Sequence, residues 1–343
     1  MRRHLQYGFW IVLACIAGVL LFSVSAGLGA FMAEEVGSHF NGAKAATSVK
    51  GALAEASSSA ELASIDSDDA VASDISNSSL YSLKAPTSTL RVTAKAYLIG
   101  DVTTGAIIAE KNGTTIYPIA SVSKLMTALI AKENENMQDI ATISAFDVAT
   151  YGTEGGLVTG EKLKVNDIFY PLLLVSSNDA AEALAEHYGR PAFLTLMNQK
   201  AASLGMINTH YEDPSGLTPK NVSTVEDLFK LSRNVYTAMP SIYDIARVEE
   251  YHILHHDWIN NNHFLALSSF VGGKNGFTDE AQQTTVSLFS VPLGSAEGGN
   301  GSKHIIAIVL LHSTNREGDV ATILNYINHN VTLAATTSVP STN

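Results

Sequence analysis

Ala120-Ser121-Val122-Ser123-Lys124-Leu125-Met126-Thr127-Ala128 opens an apolar stretch that reads as a helix from Ser121 to Ala131. A serine and a lysine three apart at a helix start project from one face. Serine alone is a poor nucleophile at neutral pH and needs an adjacent base. A lysine serves as that base when burial and a second cation lower its pKa. Ser-x-x-Lys occurs in many helices, so its meaning depends on what else the chain carries.

Two other short stretches bear on it. Ser176-Ser177-Asn178 stands just before Asp179-Ala180-Ala181. A hydroxyl there can relay a proton and a side-chain amide can hold a carbonyl, although Ser and Asn are also ordinary helix caps. Gly273-Lys274-Asn275-Gly276-Phe277-Thr278 puts a cation and closely approachable backbone at the start of a strand, and by itself reads as a turn.

Around these stretches the chain alternates in a recognisable way. Ala94–Ile99 and Ala106–Ala109 are β-rich runs joined by Thr103-Thr104-Gly105, a hairpin pattern. Val165–Leu174, Asp179–Tyr188 and Ala192–Leu204 have helical period. Ser223-Thr224-Val225-Glu226 has capping-box spacing and predicts a helix to about Tyr236. Strand patterns return at Thr284–Phe289 and His304–Leu311, and Glu317–Asn328 reads as a closing amphipathic helix. Strands at both ends with helices between them predict an α+β domain with one antiparallel sheet.

Ser-x-x-Lys, a Ser-x-Asn-type motif and Lys-Thr-Gly, in this order, form a signature of penicillin-binding proteins and class A β-lactamases, which Lys274-Asn275-Gly276 meets except at its middle residue. The chain resembles serine-type D-alanyl-D-alanine carboxypeptidases, the low-molecular-mass penicillin-binding proteins, well beyond those triplets. Asp101-Val102-Thr103-Thr104-Gly105, Leu172-Leu173-Leu174-Val175 before the second motif, Asp213-Pro214-Ser215-Gly216-Leu217, and Thr278-Asp279-Glu280-Ala281 after the third all carry the similarity, from about Ala94 to Asn328. The resemblance implies a β-lactamase/transpeptidase-like α+β fold, an antiparallel sheet flanked by helices plus a mainly helical subdomain. It implies Ser121 as nucleophile, Lys124 as its base, Ser176 as proton relay, and Asn178 as a ligand of the substrate amide. Lys274 is expected to help keep Lys124 neutral and, with Asn275, to hold the substrate carboxylate. Gly276 and Thr278 complete this binding edge, and the N–H groups of Ser121 and Phe277 form the oxyanion hole. The substrate implied is a peptidoglycan stem peptide ending in D-Ala-D-Ala, with β-lactams as inhibitors and no cofactor or metal. Two positions depart from the family: Asn275 stands where threonine is usual, and Ser177 where glycine or alanine is frequent.

The remaining sequence bounds where such a domain works. From Gly8 to Met32 no charged residue appears, roughly 25 residues and enough to cross a bilayer core of about 30 Å. Arg2 and Arg3 precede this run and Glu34 and Glu35 follow it, which predicts an N-terminus in the cytoplasm and an extracytoplasmic catalytic domain. Val24-Ser25-Ala26 offers the rival reading of a cleaved signal, with a secreted product. Residues 34–88 are rich in Ser, Ala and Asp and read as a disordered linker with a reach on the order of 40 Å. The catalytic domain is expected over 89–330 and a flexible tail over 331–343. The only cysteine, Cys15, lies inside the apolar run, so the exported part has no internal disulfide. A net charge of −12 argues against a nucleic-acid partner.

Three other features read plainly. His252-Ile253-Leu254-His255-His256-Asp257 has no evident companion cluster for a metal and is expected to be a polar surface turn. Asn221-Val222-Ser223 has the form of a glycosylation acceptor, and Glu133–Glu135 that of a solvated helix end. An endopeptidase of the same family, a β-lactamase, and a wall-binding module without turnover stand as alternatives. The second needs a deacylating carboxylate, for which no convincing glutamate is evident.

Overall fold

A computed structural model of the chain describes residues 80–84, 90–153, 155–294 and 301–334. The apolar run Gly8–Met32 and the linker as far as residue 79 lie outside the described residues. In chain order the elements are β1 (Tyr81–Leu83), β2 (Ala96–Asp101), β3 (Ile107–Lys111) and β4 (Tyr117–Pro118). A 3-10 turn at Ala120–Ser123 leads into α1 (Lys124–Asn134). There follow β5 (Ile140–Thr142), α2 (Ala145–Val148), β6 (Lys162–Lys164), α3 (Val165–Leu174), α4 (Asn178–Tyr188) and α5 (Arg190–Ser203). Then come β7 (Val222–Ser223), α6 (Val225–Ala238), α7 (Ser241–Ala246), β8 (Glu250–Ile253) and β9 (His256–Ile259). The chain closes with β10 (Phe270–Thr278), β11 (Gln282–Leu293), β12 (Ser302–Ser313), α8 (Arg316–Asn330) and β13 (Val331–Leu333).

One five-stranded antiparallel sheet, in the order β10-β11-β12-β2-β3, divides the core in two. Side chains alternate across a strand. Ala96, Leu98, Leu288, Ala307 and Val309 therefore face the helices that follow β4, and Tyr97, Ile99, Phe289, Ile306 and Ile308 face α8. Both faces are covered, which is why Ile305–Leu311 is a continuous apolar run instead of an alternating one. Helix α1 lies inside the larger cluster and is buried from Lys124 through Ala131. Its burial on every side decides the chemistry of its first residue.

Several expectations shift. The helix after Ser223 is capped by Thr224, whose hydroxyl accepts from Asp227 N at 3.1 Å, one residue later than expected. Ser223 instead sits in β7, its hydroxyl 2.7 Å from that of Thr209. The fold also reaches outside 89–330, because Tyr81–Leu83 pairs with Val331–Leu333. Three-residue strands carry no readable alternation, and their pairing joins segments at opposite ends of the domain. Asn221 is fully buried, its side chain bonded to Ser123 Oγ, Asp213 O and Glu212 N, so it has no room for a glycan in this fold.

Glu135 corrects the solvated helix end. Its side chain is 3% exposed, and neither carboxylate oxygen accepts a hydrogen bond among the described residues. Burial, then the charge of Asp139, pushes its pKa up to about 8. The native state thus holds a proton that the unfolded chain releases at ordinary carboxylate pH. The stabilisation is complete below the unfolded pKa and is lost as pH rises towards 8. Glu135→Gln, which cannot ionise, should therefore gain stability over wild type between pH 5 and pH 8, on the order of 3 kcal/mol, the linkage cost of ionising a group whose pKa is about 8 when folded. Urea midpoints at the two pH values test this, and an equal gain at both would refute it.

Candidate active site

The turn that delivers Ser121 is strained. Ala120 has φ 49°, a left-handed conformation for a residue with a Cβ, and such strain gathers at functional sites. Lys124, one helical turn on, is fully buried. Its Nζ lies 3.0 Å from Ser121 Oγ, 2.7 Å from Asn178 Oδ1 and 2.6 Å from Ser215 O. Burial is the first cause that lowers the Lys124 pKa, to about 7, against the opposing pull of Asp213, Asp179 and Glu182. A neutral amine has two N–H donors and one lone pair. Asn178 Oδ1 and the Ser215 carbonyl can only accept, so they take both donors, and the lone pair is left for the hydroxyl of Ser121.

The carbonyl under Lys124 belongs to Asp213-Pro214-Ser215-Gly216-Leu217, quoted in the resemblance without a role. Asp213 ties this loop by accepting from Ser215 N and Oγ, Gly216 N, Leu217 N and Thr218 N. Gly216 has φ 84°, and a Cβ there would lie 1.9 Å from the carbonyl oxygen of Ala120. Gly216→Ala should therefore displace Ser121 or the loop. We expect penicillin acylation to fall by at least roughly 10²-fold, the scale of an ångström misplacement at a reacting centre. Stopped-flow labelling reads the effect, and wild-type rates would contradict it.

The second motif forms the turn between α3 and α4. Ser176 has φ 63° and its hydroxyl is engaged by no side chain among the described residues. Ser177 is the helix cap, accepting from Ala180 N at 2.9 Å and donating to the Asp179 carboxylate. Asn178 opens α4, gives Oδ1 to Lys124 and donates from Nδ2 to Tyr151 O at 3.0 Å. Asp179 accepts from Gly155 N and Leu157 N, fastening residues 155–157 to the start of α4.

The third motif is the second half of edge strand β10, where the sequence placed a glycine-flanked lysine entering a strand, with a turn before a strand as the plainer reading. Gly276 packs against the Ser121 turn, since a Cβ there would come within 2.8 Å of Ser121 N. Phe277, the next residue, is exposed. Lys274 is buried and donates to Asn275 O at 2.7 Å. Burial, then Lys124 and Arg316, holds its pKa well below the ordinary lysine value. Burial is thus the larger cause of a neutral Lys124, and the like-charge opposition between the two lysines bears on Lys274. Asn275 donates to Asn262 Oδ1 at 3.2 Å and accepts from Thr285 Oγ1 at 2.7 Å, keeping one N–H uncommitted. Thr278 serves the turn that follows, accepting from Ala281 N at 3.1 Å.

Arg316 was not foreseen. Its guanidinium donates to Gly276 O at 3.2 Å and pairs with Glu317 at 2.7 Å, bringing a cation to the third motif. Its signal was a basic residue at a helix N-terminus, where the macrodipole favours carboxylates. Among the described residues, the carboxylates that bear on Lys124 are all committed, Asp213 and Asp179 to the donors above and Glu182 to Arg190 at 2.6 Å. None is a free base for a deacylating water, which weighs against the β-lactamase alternative.

A serine, a buried lysine and a strand-edge lysine on an antiparallel sheet with a helical subdomain define the penicillin-recognising class of serine acyl-enzymes. The chain belongs to the D-alanyl-D-alanine carboxypeptidase family, which matches residues 83–310. It is 36% identical over 138 residues to a D-alanyl-D-alanine endopeptidase of Pseudomonas aeruginosa, covering 39% of this chain and 44% of that protein. The match spans less than half the length of that relative and of a second endopeptidase from Escherichia coli. A D-alanyl-D-alanine carboxypeptidase of Mycobacterium tuberculosis is 27% identical over 237 residues, 66% of this chain and 77% of that one. The solved structure of a variant Streptomyces DD-transpeptidase superposes with TM-score 0.61 at 28% identity, covering 69% of this chain and 98% of the other.

Proposed function

We propose that the protein is a serine D-Ala-D-Ala carboxypeptidase that trims peptidoglycan stem peptides through an acyl-serine intermediate. The observation that carries this reading is the environment of Lys124 Nζ, with two acceptors fixing its donors and Ser121 Oγ on the third side. In the proposed mechanism Lys124 takes the Ser121 proton as Oγ attacks the penultimate D-alanine carbonyl. The N–H groups of Ser121 and Phe277 hold the oxyanion, each such donor being worth about 10²–10³ in rate. The open hydroxyl of Ser176 passes the proton to the departing D-alanine amine, and Asn178 orients the substrate amide with its remaining N–H. Lys274 and the uncommitted N–H of Asn275 receive the terminal carboxylate. An arriving carboxylate also favours the charged form of Lys274, which burial opposes in the free enzyme. Water then hydrolyses the ester with Lys124 again the base. β-Lactams acylate Ser121 by the same first step.

Cleavage of cross-links is the second reading, favoured by the 36% identity to an endopeptidase. Supplying a pentapeptide and a cross-linked muropeptide side by side separates the two. Release of free D-alanine from the pentapeptide is expected; cleavage of the cross-link alone would move the assignment to an endopeptidase, and neither product would end it. We also propose that the run Gly8–Met32 tethers the domain to the cytoplasmic membrane on its outer side, as its apolar length and flanking charges suggest. Among the described residues no helix is long and apolar enough to cross a membrane. Alkaline carbonate extraction of bacterial membranes tests the tether.

A further inference from the structure

The histidine-rich stretch is a β-hairpin with two different faces. Glu250↔Ile259, Tyr251↔Trp258, His252↔Asp257 and Ile253↔His256 are its pairs. His252 and Asp257 lie on the exposed face, 2.6 Å apart. On the inner face His256 is 4% exposed, stacked on Trp258 at 4.7 Å between ring centres. Here the structure supplies the companion that the sequence lacked. Glu161, 95 residues upstream and 6% exposed, has Oε1 at 2.8 Å from His256 Nε2 and 3.8 Å from His255 Nε2.

We propose that Glu161, His255 and His256 form a binding site for a borderline divalent transition ion of the Zn²⁺ class. A hydrogen bond between His256 and Glu161 explains one imidazole, yet two converge on the same oxygen, and the three ligand atoms lie within 4.8 Å of one another. Zinc bound tetrahedrally at about 2.0 Å sets its ligand atoms roughly 3.3 Å apart. The two measured separations lie on either side of that figure. Two imidazole nitrogens and a carboxylate select Zn²⁺, Co²⁺ or Ni²⁺ over Mg²⁺ or Ca²⁺, which prefer oxygen alone. The hydrogen shared by His256 Nε2 and Glu161 moves to Nδ1, leaving Nε2 as a ligand. Two ligands are buried, and His255, 61% exposed, stands at the mouth where an ion enters with its water. Leu254 before it has φ 53°, a conformation that costs a non-glycine residue about 1–2 kcal/mol and turns His255 back over the inner face.

The site lies close to the catalytic framework. Trp258, beside His256 on the inner face, donates to Gly155 O at 2.7 Å, and Gly155 N donates to the Asp179 carboxylate. A bound ion therefore clamps the hairpin to the segment ending at Glu161. Binding is measured without reference to activity, so its outcome is independent of the peptidase assignment. The untagged protein, freed of metal by chelator, is titrated with Zn²⁺ by calorimetry, and Co²⁺ uptake is followed by its visible absorption. Wild type should take up about one ion per chain, with little response to Mg²⁺, and its thermal midpoint should rise with Zn²⁺. His255→Ala and Glu161→Gln should each weaken binding by roughly 100-fold or more, at least the cost of losing a supporting group around a ligand. His252→Ala, on the exposed face, should change nothing. The exposed position of His255 keeps its variant folded, so that variant decides the matter should Glu161→Gln fail to fold. No uptake by wild type, undiminished uptake by His255→Ala, or loss of binding in His252→Ala would each overturn the proposal.

Discussion

Ser121→Ala is expected to abolish labelling by a fluorescent penicillin, with the acylation rate reduced by roughly 10⁵–10⁶, the scale seen when an acyl-enzyme loses its nucleophile. The side chain is small and stands at the start of a buried helix whose packing it does not make, so the fold should survive. Labelling read on a gel after minutes and after a day distinguishes slow from absent acylation. Full labelling of the variant would place the nucleophile elsewhere and remove the basis for the peptidase reading.

The second large effect concerns the base. Lys124→Arg puts a permanent cation at the same point and cannot offer a lone pair, because guanidinium does not deprotonate in proteins. Acylation should fall by roughly 10²–10⁴, the usual contribution of a positioned general base. Lys124→Ala should lose at least as much and also leaves Asn178 Oδ1 and the Ser215 carbonyl without their donor. An arginine variant acylating at the wild-type rate would show that the side chain acts only by its charge.

What the sequence revealed and what it hid follow a physical division. Ser121 and Lys124 were legible because their relation is local: three residues along a helix suffices to bring them together. The sheet and most helices were legible from period. Of strand β10 only a glycine-flanked lysine entering a strand was legible, because Gly272-Gly273-Lys274-Asn275-Gly276 has no apolar alternation and lies at a sheet edge whose shape is set by the Ser121 turn against it. The Ser215 carbonyl as a third neighbour of Lys124 could not be read, since any residue has a carbonyl and only the loop conformation held by Asp213 aims this one. Burial and a second cation were both expected to keep Lys124 neutral; how deep the helix lies inside the core, which makes burial the larger cause, is not visible in a sequence. Glu161 and the His255–His256 pair met for the same reason, across a separation no spacing rule covers. The departure at Asn275 finds a structural setting in Asn262 and Thr285, which hold its amide at the rim of the site.

The central claim is that an uncharged Lys124, made so by burial, activates Ser121. The second-order rate of penicillin acylation, measured from pH 5.5 to 9 with the label mapped by mass to the peptide containing Ser121, tests it most directly. The rate should rise with pH through a half-point near the Lys124 pKa of about 7, with loss of charge on Lys274 bounding it on the alkaline side. A rate independent of pH over that range, or a label on any other residue, would contradict it.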